Sequence, residues 1–207
     1  MNIANIPMGG LGANCYVISS AGVAAVIDPG EECFALERFA DSTDLDIKYI
    51  LLTHGHFDHI GGVAYLKSRF PEAEVCIGKE DAPMLTSPRL SLGEMFGISH
   101  PVSAADKTLE DGDTLTLGRL TLGVIHTPGH TPGGVVYTVE NVAFTGDTLF
   151  SGSIGRCDFP GSDITLMQSS LKRLCRLPAD TTLYPGHGSA TTLGRELKFN
   201  PFLREEI

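Results

Sequence analysis

A single domain mixing helices and strands is the fold class this sequence predicts, and three observations predict it. Short apolar, β-branched runs recur in pairs, and stretches with helical spacing lie between the pairs. The length of 207 residues with 42% hydrophobic content allows one good core, spanning 1–207, and nothing in the chain needs a second domain.

Each element follows from its residues. Asn2 to Ile6 reads as a short apolar strand, and Gly9-Gly10-Leu11-Gly12 turns the chain into a second strand from Cys15 to Ser19. That glycine cluster lacks the Lys-Ser/Thr of a phosphate loop and leads into a strand rather than a helix. Val23 to Ile27 is a third strand, ended by the turn signal Asp28-Pro29-Gly30, where Asp28 reads as a turn former or as a hydrogen-bond partner of a ligand histidine. Glu31 to Ala40 has helical spacing through Cys33, Leu36 and Phe39, and Ile47 to Leu52 is a buried strand. From Ile60 the spacing is helical again, through Val63, Ala64 and Phe70, with Pro71 as the stop; Glu74 to Ile77 is a strand. Between Gly78 and Ala105, punctuation by Pro83, Pro88, Gly93, Gly97 and Pro101 predicts short helical turns and loops. His100 lies here without a neighbouring ligand type and reads as a surface or hydrogen-bonded histidine.

Thr114 to Leu117 and Leu120 to Ile125 form a hairpin about Gly118-Arg119, and Val135 to Val139 with Val142 to Thr145 form another. Ser151 to Asp163 is a Gly-rich loop. Asp163 opens a helix with Ile164, Met167, Leu171 and Leu174 on one face and Pro178 beyond it. Thr181 to Tyr184 is the last strand, and the tail to Ile207 is a short amphipathic piece broken by Asn200-Pro201.

Thr53-His54-Gly55-His56-Phe57-Asp58-His59 sits on the turn from the Ile47–Leu52 strand to the following helix and supplies three of the chain's seven histidines and a carboxylate. His54, His56 and Asp58 alternate along an extended backbone and so aim into one space, with His59 entering from the first helical turn. Two adjacent metal positions can be served from this stretch. His130, between Pro128-Gly129 and Thr131-Pro132-Gly133-Gly134, is held in a rigid turn at a strand end, the support a metal ligand needs; His126 reads as structural or as a hydrogen-bond partner of a ligand. Pro185-Gly186-His187-Gly188 repeats the device for His187. Asp147, in Gly146-Asp147-Thr148 at another strand end, is then the natural bridging carboxylate.

Composition excludes other classes. A net charge of −10 and a pI near 5.0, with no Lys/Arg cluster, argue against a nucleic-acid surface. Cys15, Cys33, Cys76, Cys157 and Cys175 form no C-x-x-C and suit a reducing compartment. The N-terminus shows neither a basic nor an apolar leader region, and no run of eighteen apolar residues occurs, so the expectation is a cytoplasmic protein not bound to membrane.

Together the H-x-H-x-D-H loop at 54 to 59 and the single positions His130, Asp147 and His187 resemble the metallo-β-lactamase superfamily over nearly the whole chain. The resemblance implies an α+β four-layer αββα sandwich, two mixed sheets packed face to face with helices outside and metals at one edge. It further implies one metal on His54, His56 and His130, another on Asp58, His59 and His187, and Asp147 bridging. Within the superfamily, Gly146-Asp147-Thr148-Leu149-Phe150, Gly155-Arg156-Cys157-Asp158-Phe159 and Asn200-Pro201-Phe202 are similar to the glyoxalase II group of hydroxyacylglutathione hydrolases, in a small form without the C-terminal helical domain that helps hold glutathione. A lysine near the position of Arg156 contacts glutathione in the larger members, so the resemblance implies substrate binding by Arg156, whose planar head suits a carboxylate.

The chemistry also follows from the residues. There is no G-x-S-x-G elbow and no cysteine in an activating setting, so water is the expected nucleophile. Two divalent ions lower the pKa of water from 15.7 to about 7, and a thioester suits such a site because a thiolate leaves without a strong general acid. Asp58 would mainly ligate and orient, with a role in catalysis as proton carrier as the secondary reading. The ligand types suit Zn, and also Fe or Mn.

Three alternatives share or resemble this pattern. A mononuclear iron persulfide dioxygenase is similar in sequence, but here Ser153-Ile154 replaces its Cys-bearing lead-in and Pro160-Gly161 follows, which favours a hydrolase. A lactonase, other ester hydrolase or β-lactamase uses the same scaffold, and a non-catalytic binding module would not need all seven ligands intact.

Overall fold

Strands that hide both faces dominate the architecture. The computed structural model describes residues 1–8, 10, 12–99 and 101–204, so the expectation for His100, part of the Gly9–Gly12 turn and the last tail residues fall outside the described residues. β1 (Asn2–Pro7), β2 (Asn14–Ser20) and β3 (Val23–Ile27) pair antiparallel in sequence order. After α1 (Phe34–Ser42) the chain adds β4 (Asp46–Leu51) parallel to β3. It then passes through α2 (Phe57–Ile60) and α3 (Val63–Arg69) and adds β5 (Glu74–Gly78) and β6 (Lys107–Leu109), both parallel. Two 3-10 segments, Lys79–Thr86 and Gly93–Phe96, fill the interval before β6, as the prolines and glycines there predict.

The second sheet begins with an antiparallel run, β7 (Thr114–Leu117), β8 (Leu120–His126), β9 (Val135–Val139) and β10 (Val142–Gly146). β11 (Leu149–Phe150) and β12 (Ser153–Ile154) form a small hairpin, and α4 (Ile164–Leu174) follows. β13 (Thr182–Pro185) joins parallel to β10, β14 (Thr191–Thr192) pairs antiparallel to β13, and α5 (Leu193–Phe199) leads to a 3-10 turn at Pro201–Leu203. The strand orders are β1-β2-β3-β4-β5-β6 and β14-β13-β10-β9-β8-β7, both mixed.

Alternation assigns the central strands to two layers of core. Val17, Val26, Ile50 and Val75 face Leu36, Val63 and Leu66 of the helices, while Ile18, Ile27 and Leu51 turn the other way to meet Leu117, Leu122, Tyr137 and Phe144 of the second sheet. An extra residue in β4, opposite Ala24/Ala25, restores this alternation after Ile47. On the far side Val136, Ala143 and Leu183 pack on Met167, Leu171 and Leu193. This is the four-layer αββα sandwich, and strands buried on both faces explain their near-continuous apolar runs. Each fully buried Leu or Ile contributes about 1.5–3 kcal/mol, which offsets the polar edge described below. Among the described residues no helix is long and apolar enough to cross a membrane.

The structure departs from the sequence reading in several places. The helix expected from Ile60 starts earlier, at Phe57, and is broken in two, so Asp58 stands on a helical turn rather than on extended chain. The break falls at Gly61 and Gly62: Gly61 N is shared between Phe57 O (3.2 Å) and Gly30 O (3.1 Å), and Gly62 N donates to Pro29 O (2.7 Å), an approach that a Cβ on either residue would block. β6, the β11–β12 hairpin, β14 and α5 were not expected.

β8, β10 and β13 run in one direction, so their C-terminal ends share an edge of the second sheet. The C-terminal end of β4 is joined to that edge by Tyr137 Oη donating to Leu52 O (2.8 Å) and Val135 N donating to Thr53 O (2.8 Å).

Candidate metal centre

All seven positions expected to ligate metal meet at this edge. His54 and His56 leave β4, Asp58 and His59 lie on α2, His130 follows β8, Asp147 follows β10 and His187 follows β13. His56 Nδ1 and His130 Nε2 stand 2.9 Å apart, and His59 Nε2 and His187 Nε2 stand 3.2 Å apart. The ligating atoms of His54, His56 and His130 lie within 4.8 Å of one another, as do those of Asp58, His59 and His187. Asp147 stands between the two sets. Its Oδ2 is 3.5 Å from His130 Nε2 and 3.7 Å from His187 Nε2, and its Oδ1 is 3.5 Å from His59 Nε2.

Hydrogen bonds behind the rings fix which nitrogen faces inward. His130 Nδ1 donates to Arg156 O (2.7 Å), leaving the Nε2 lone pair toward the site. His59 Nδ1 donates to Asp28 Oδ2 (3.1 Å), so its Nε2 faces Asp58, Asp147 and His187. Asp28 Oδ1 and Oδ2 accept from Thr53 N (2.7 Å) and Thr53 Oγ1 (2.6 Å), and Thr53 Oγ1 in turn accepts from His54 Nδ1 (3.1 Å). One buried carboxylate thereby orients a histidine from each set, the supporting role its sequence position suggests.

Burial and mutual charge set the protonation. His54 is pushed well below the ordinary histidine range by burial and then by the surrounding histidines, and His56 is pushed down to about 3 by burial and by His130 and His59. Both are therefore neutral, as a ligand imidazole must be. Burial also opposes charge on His59, but Asp147, Asp28 and Asp58 overcome it and raise the ring to about 10. Ionised carboxylates that stabilise a positive charge on His59 this strongly stabilise a metal cation for the same reason. Burial pushes the Asp58 carboxyl up, yet the His187 hydrogen bond and the charges of His59 and His187 prevail and hold it well below the usual range.

The donor set fits metal. His54 Nε2, His56 Nε2 and Asp147 Oδ1 are buried without a hydrogen-bond partner. Each such orphan costs about 1–3 kcal/mol, a cost that at His54 Nε2 and Asp147 Oδ1 a cation removes. Nitrogen and carboxylate oxygen donors suit Zn, Fe or Mn.

Arg156 is exposed. Its Nε and Nη2 donate to Asp158 (2.8 and 2.7 Å), and its guanidinium lies 4.2 Å from the Phe159 ring centroid. Phe159 stands edge-on to His56 and His130, so this segment forms one wall of the site. His126 is structural, with Nε2 donating to Pro132 O (2.9 Å). The sequence reading missed Asp81. Fully buried, it accepts from Gly55 N (3.0 Å), Thr131 Oγ1 (2.7 Å) and Gly133 N (2.6 Å), pinning the His54–His56 loop to the His130 loop.

The chain is similar to known proteins over its whole length. The metallo-β-lactamase superfamily model matches residues 8–187. Hydroxyacylglutathione hydrolase GloC of Haemophilus influenzae is 38% identical over 212 residues, covering 100% of both chains. Among solved structures, BLEG-1 B3 metallo-β-lactamase superposes with a TM-score of 0.92 at 38% identity, covering 98% of this chain and 100% of that one. TTHA1623 in a di-iron-bound form superposes with a TM-score of 0.87, also at 38% identity, covering 97% and 100%.

Proposed function

Because the chain belongs to the metallo-β-lactamase superfamily, we propose that it is a metal-dependent thioester hydrolase acting on S-2-hydroxyacylglutathione-type substrates. The observation that carries this reading is the convergence of six donors in two sets about Asp147, with His54 Nε2 and Asp147 Oδ1 buried and without a hydrogen-bond partner. The identity to GloC over both full lengths supports the substrate class. We assign His54, His56 and His130 to one ion, Asp58, His59 and His187 to the other, and Asp147 to both, with zinc as the first choice. When bound, such a pair supplies Lewis-acid polarisation and water of lowered pKa.

The chain's own residues supply the rest. Asp28 and Thr53 hold His59 and His54 in the tautomers that ligation requires. Asp58 stays ionised through neutral pH and so ligates and orients rather than donating a proton. A thiolate leaving group needs no such donor. Arg156 would serve a substrate carboxylate by exchanging it for Asp158, since two of its donors face that residue. All five cysteines are unpaired, which supports a reducing compartment, and we place the reaction in the cytoplasm.

The 38% identity to BLEG-1 favours β-lactam hydrolysis as a second reading, and the di-iron form of TTHA1623 favours iron as a second metal. The deciding experiment assays zinc- and iron-loaded protein against S-lactoylglutathione and a chromogenic cephalosporin, beside chelator-treated samples, with oxygen uptake on glutathione persulfide as a third arm. Chelator-sensitive turnover of the thioester is expected. Turnover of the cephalosporin alone, or oxygen uptake alone, would replace this reading with the corresponding alternative.

A further inference from the structure

A cavity of about 310 Å³ opens beside Asp58, walled by Met8, Phe57, Met84, Ile98 and Val102. That volume is at the small end of ligand pockets, which run roughly 300–1,000 Å³. No Lys or Arg lines it among the described residues, and its charged lining residues, Asp58, Glu31 and Glu32, are all acidic. An anionic group such as a glutathione carboxylate would be repelled there.

Its rim is apolar as well. Phe57, which lines the cavity, stacks on Phe96 with ring centroids 4.5 Å apart, and Phe96 is 59% exposed. Phe57 is the residue between His56 and Asp58, so the apolar shelf and the metal centre are adjacent in the chain as well as in space. Phe96 thereby extends the apolar surface of the cavity wall outward from Phe57.

Resting on the hydrolase reading, we infer that this cavity receives an uncharged, apolar chain of the substrate while the scissile carbonyl sits at the Asp58 edge. The chemistry is the same whether the chain belongs to the acyl group or to the thiol. On this inference the charged end of any glutathione conjugate lies outside the cavity, on the Phe159 side.

The test compares S-ethyl thioacetate with S-ethyl thiooctanoate, and with S-octyl thioacetate, using zinc-loaded protein and including S-lactoylglutathione. Burial of methylenes predicts that kcat/KM rises at least about tenfold in one arm, chiefly through KM. The arm in which it rises identifies the acyl or the thiol side. In Ile98→Trp, which fills the cavity, the long-to-short ratio falls toward one. Independently of turnover, 1-octanol is titrated into protein carrying 13C-methyl methionine. The Met8 and Met84 signals are expected to move, whereas that of Met167, on the buried face of α4, is not. Stationary Met8 and Met84 signals overturn the inference, as do equal kcat/KM values for long and short substrates in both arms. Neither result touches the hydrolase reading if S-lactoylglutathione is still turned over. Methyl shifts lost in Ile98→Trp, with no thioester turned over, support the cavity as an apolar site and sink the thioesterase reading instead.

Discussion

Thr131 Oγ1 donates to Asp81 Oδ2 at 2.7 Å, and the same oxygen accepts from Gly55 N at 3.0 Å. A residue beside His130 and the residue between His54 and His56 are thus tied to one buried atom. Burial raises the Asp81 pKa, opposed by its bonds to Thr131, Gly133 and Gly55. In Asp81→Ala three buried donors lose their acceptor, at about 1–3 kcal/mol each. The expected result is a fall in stability of at least about 3 kcal/mol in urea unfolding, with weakened metal binding because the two ligand loops separate. A variant of unchanged stability that kept full metal content would show that the loops hold themselves.

Asp28 acts on the tautomers. In Asp28→Asn one oxygen can still accept from Thr53 N, but an amide NH2 placed at the Oδ2 position would face the Thr53 hydroxyl and His59 Nδ1–H, donor against donor. His59 would then shift its proton to Nε2, the atom that must ligate. Metal affinity measured by competition with a chelator is expected to fall about 10–100-fold, the usual effect of losing such support, while the far-ultraviolet circular dichroism stays native. Unaltered affinity would mean that the His59 tautomer is set elsewhere.

How much of this could be read from the chain depends on how far apart the partners lie. The 54–59 loop is a local pattern, and His130 and His187 announce themselves by the glycines and prolines around them. Asp81 does not, because its partners are 26, 50 and 52 residues away and its own segment has no regular period. β6 and β14 have three and two residues, too few for an alternation to show, and exist because β5 and β13 offer them an edge. α5 was hidden by a glycine at its second position, and its start depends on the Thr192 hydroxyl accepting from Arg195 N (3.3 Å). The break between α2 and α3 comes from the 29–31 loop pressing on Gly61 and Gly62, a tertiary cause with no trace in helical periodicity.

Gly186 has no room for a side chain. A Cβ there would collide with Asp147 Oδ1 and crowd His59 Cε1, and the backbone cannot retreat, because Gly186 N donates to Gly146 O (2.8 Å) and its carbonyl accepts from Asn14 N (2.7 Å). Gly186→Ala therefore displaces the carboxylate between the two donor sets. Metal content is expected to drop, and kcat to fall by about a hundredfold or more, the cost of misplacing a reacting site by about 1 Å. Elemental analysis beside the thioester assay checks both. Full metal content with normal turnover would show that Asp147 is not held where the ions need it.

Glu196, on α5 and fully buried, accepts from Thr191 Oγ1 (2.6 Å) and Arg195 Nη1 (2.7 Å) at Oε1, and from Gly152 N (2.7 Å) and Asn200 Nδ2 (3.1 Å) at Oε2. Burial raises its pKa, but the bonds from Thr191, Gly152, Asn200 and Arg195 outweigh burial and hold the carboxyl below its ordinary value. A carboxylate depressed by folding contributes stability above its unfolded pKa of about 4.3, and that contribution is lost as the pH falls through the lower, folded value. Glu196→Gln removes the charge and sets an amide donor against donors. It is expected to cost about 1–3 kcal/mol at pH 7 and to lose less than the parent on acidification from about pH 5 to pH 3, so the two curves of melting temperature against pH converge at the acid end. Because the metal ligands are common to both proteins, their own titration cancels in the difference. Parallel curves over that range would show that Glu196 is not ionised in the folded protein.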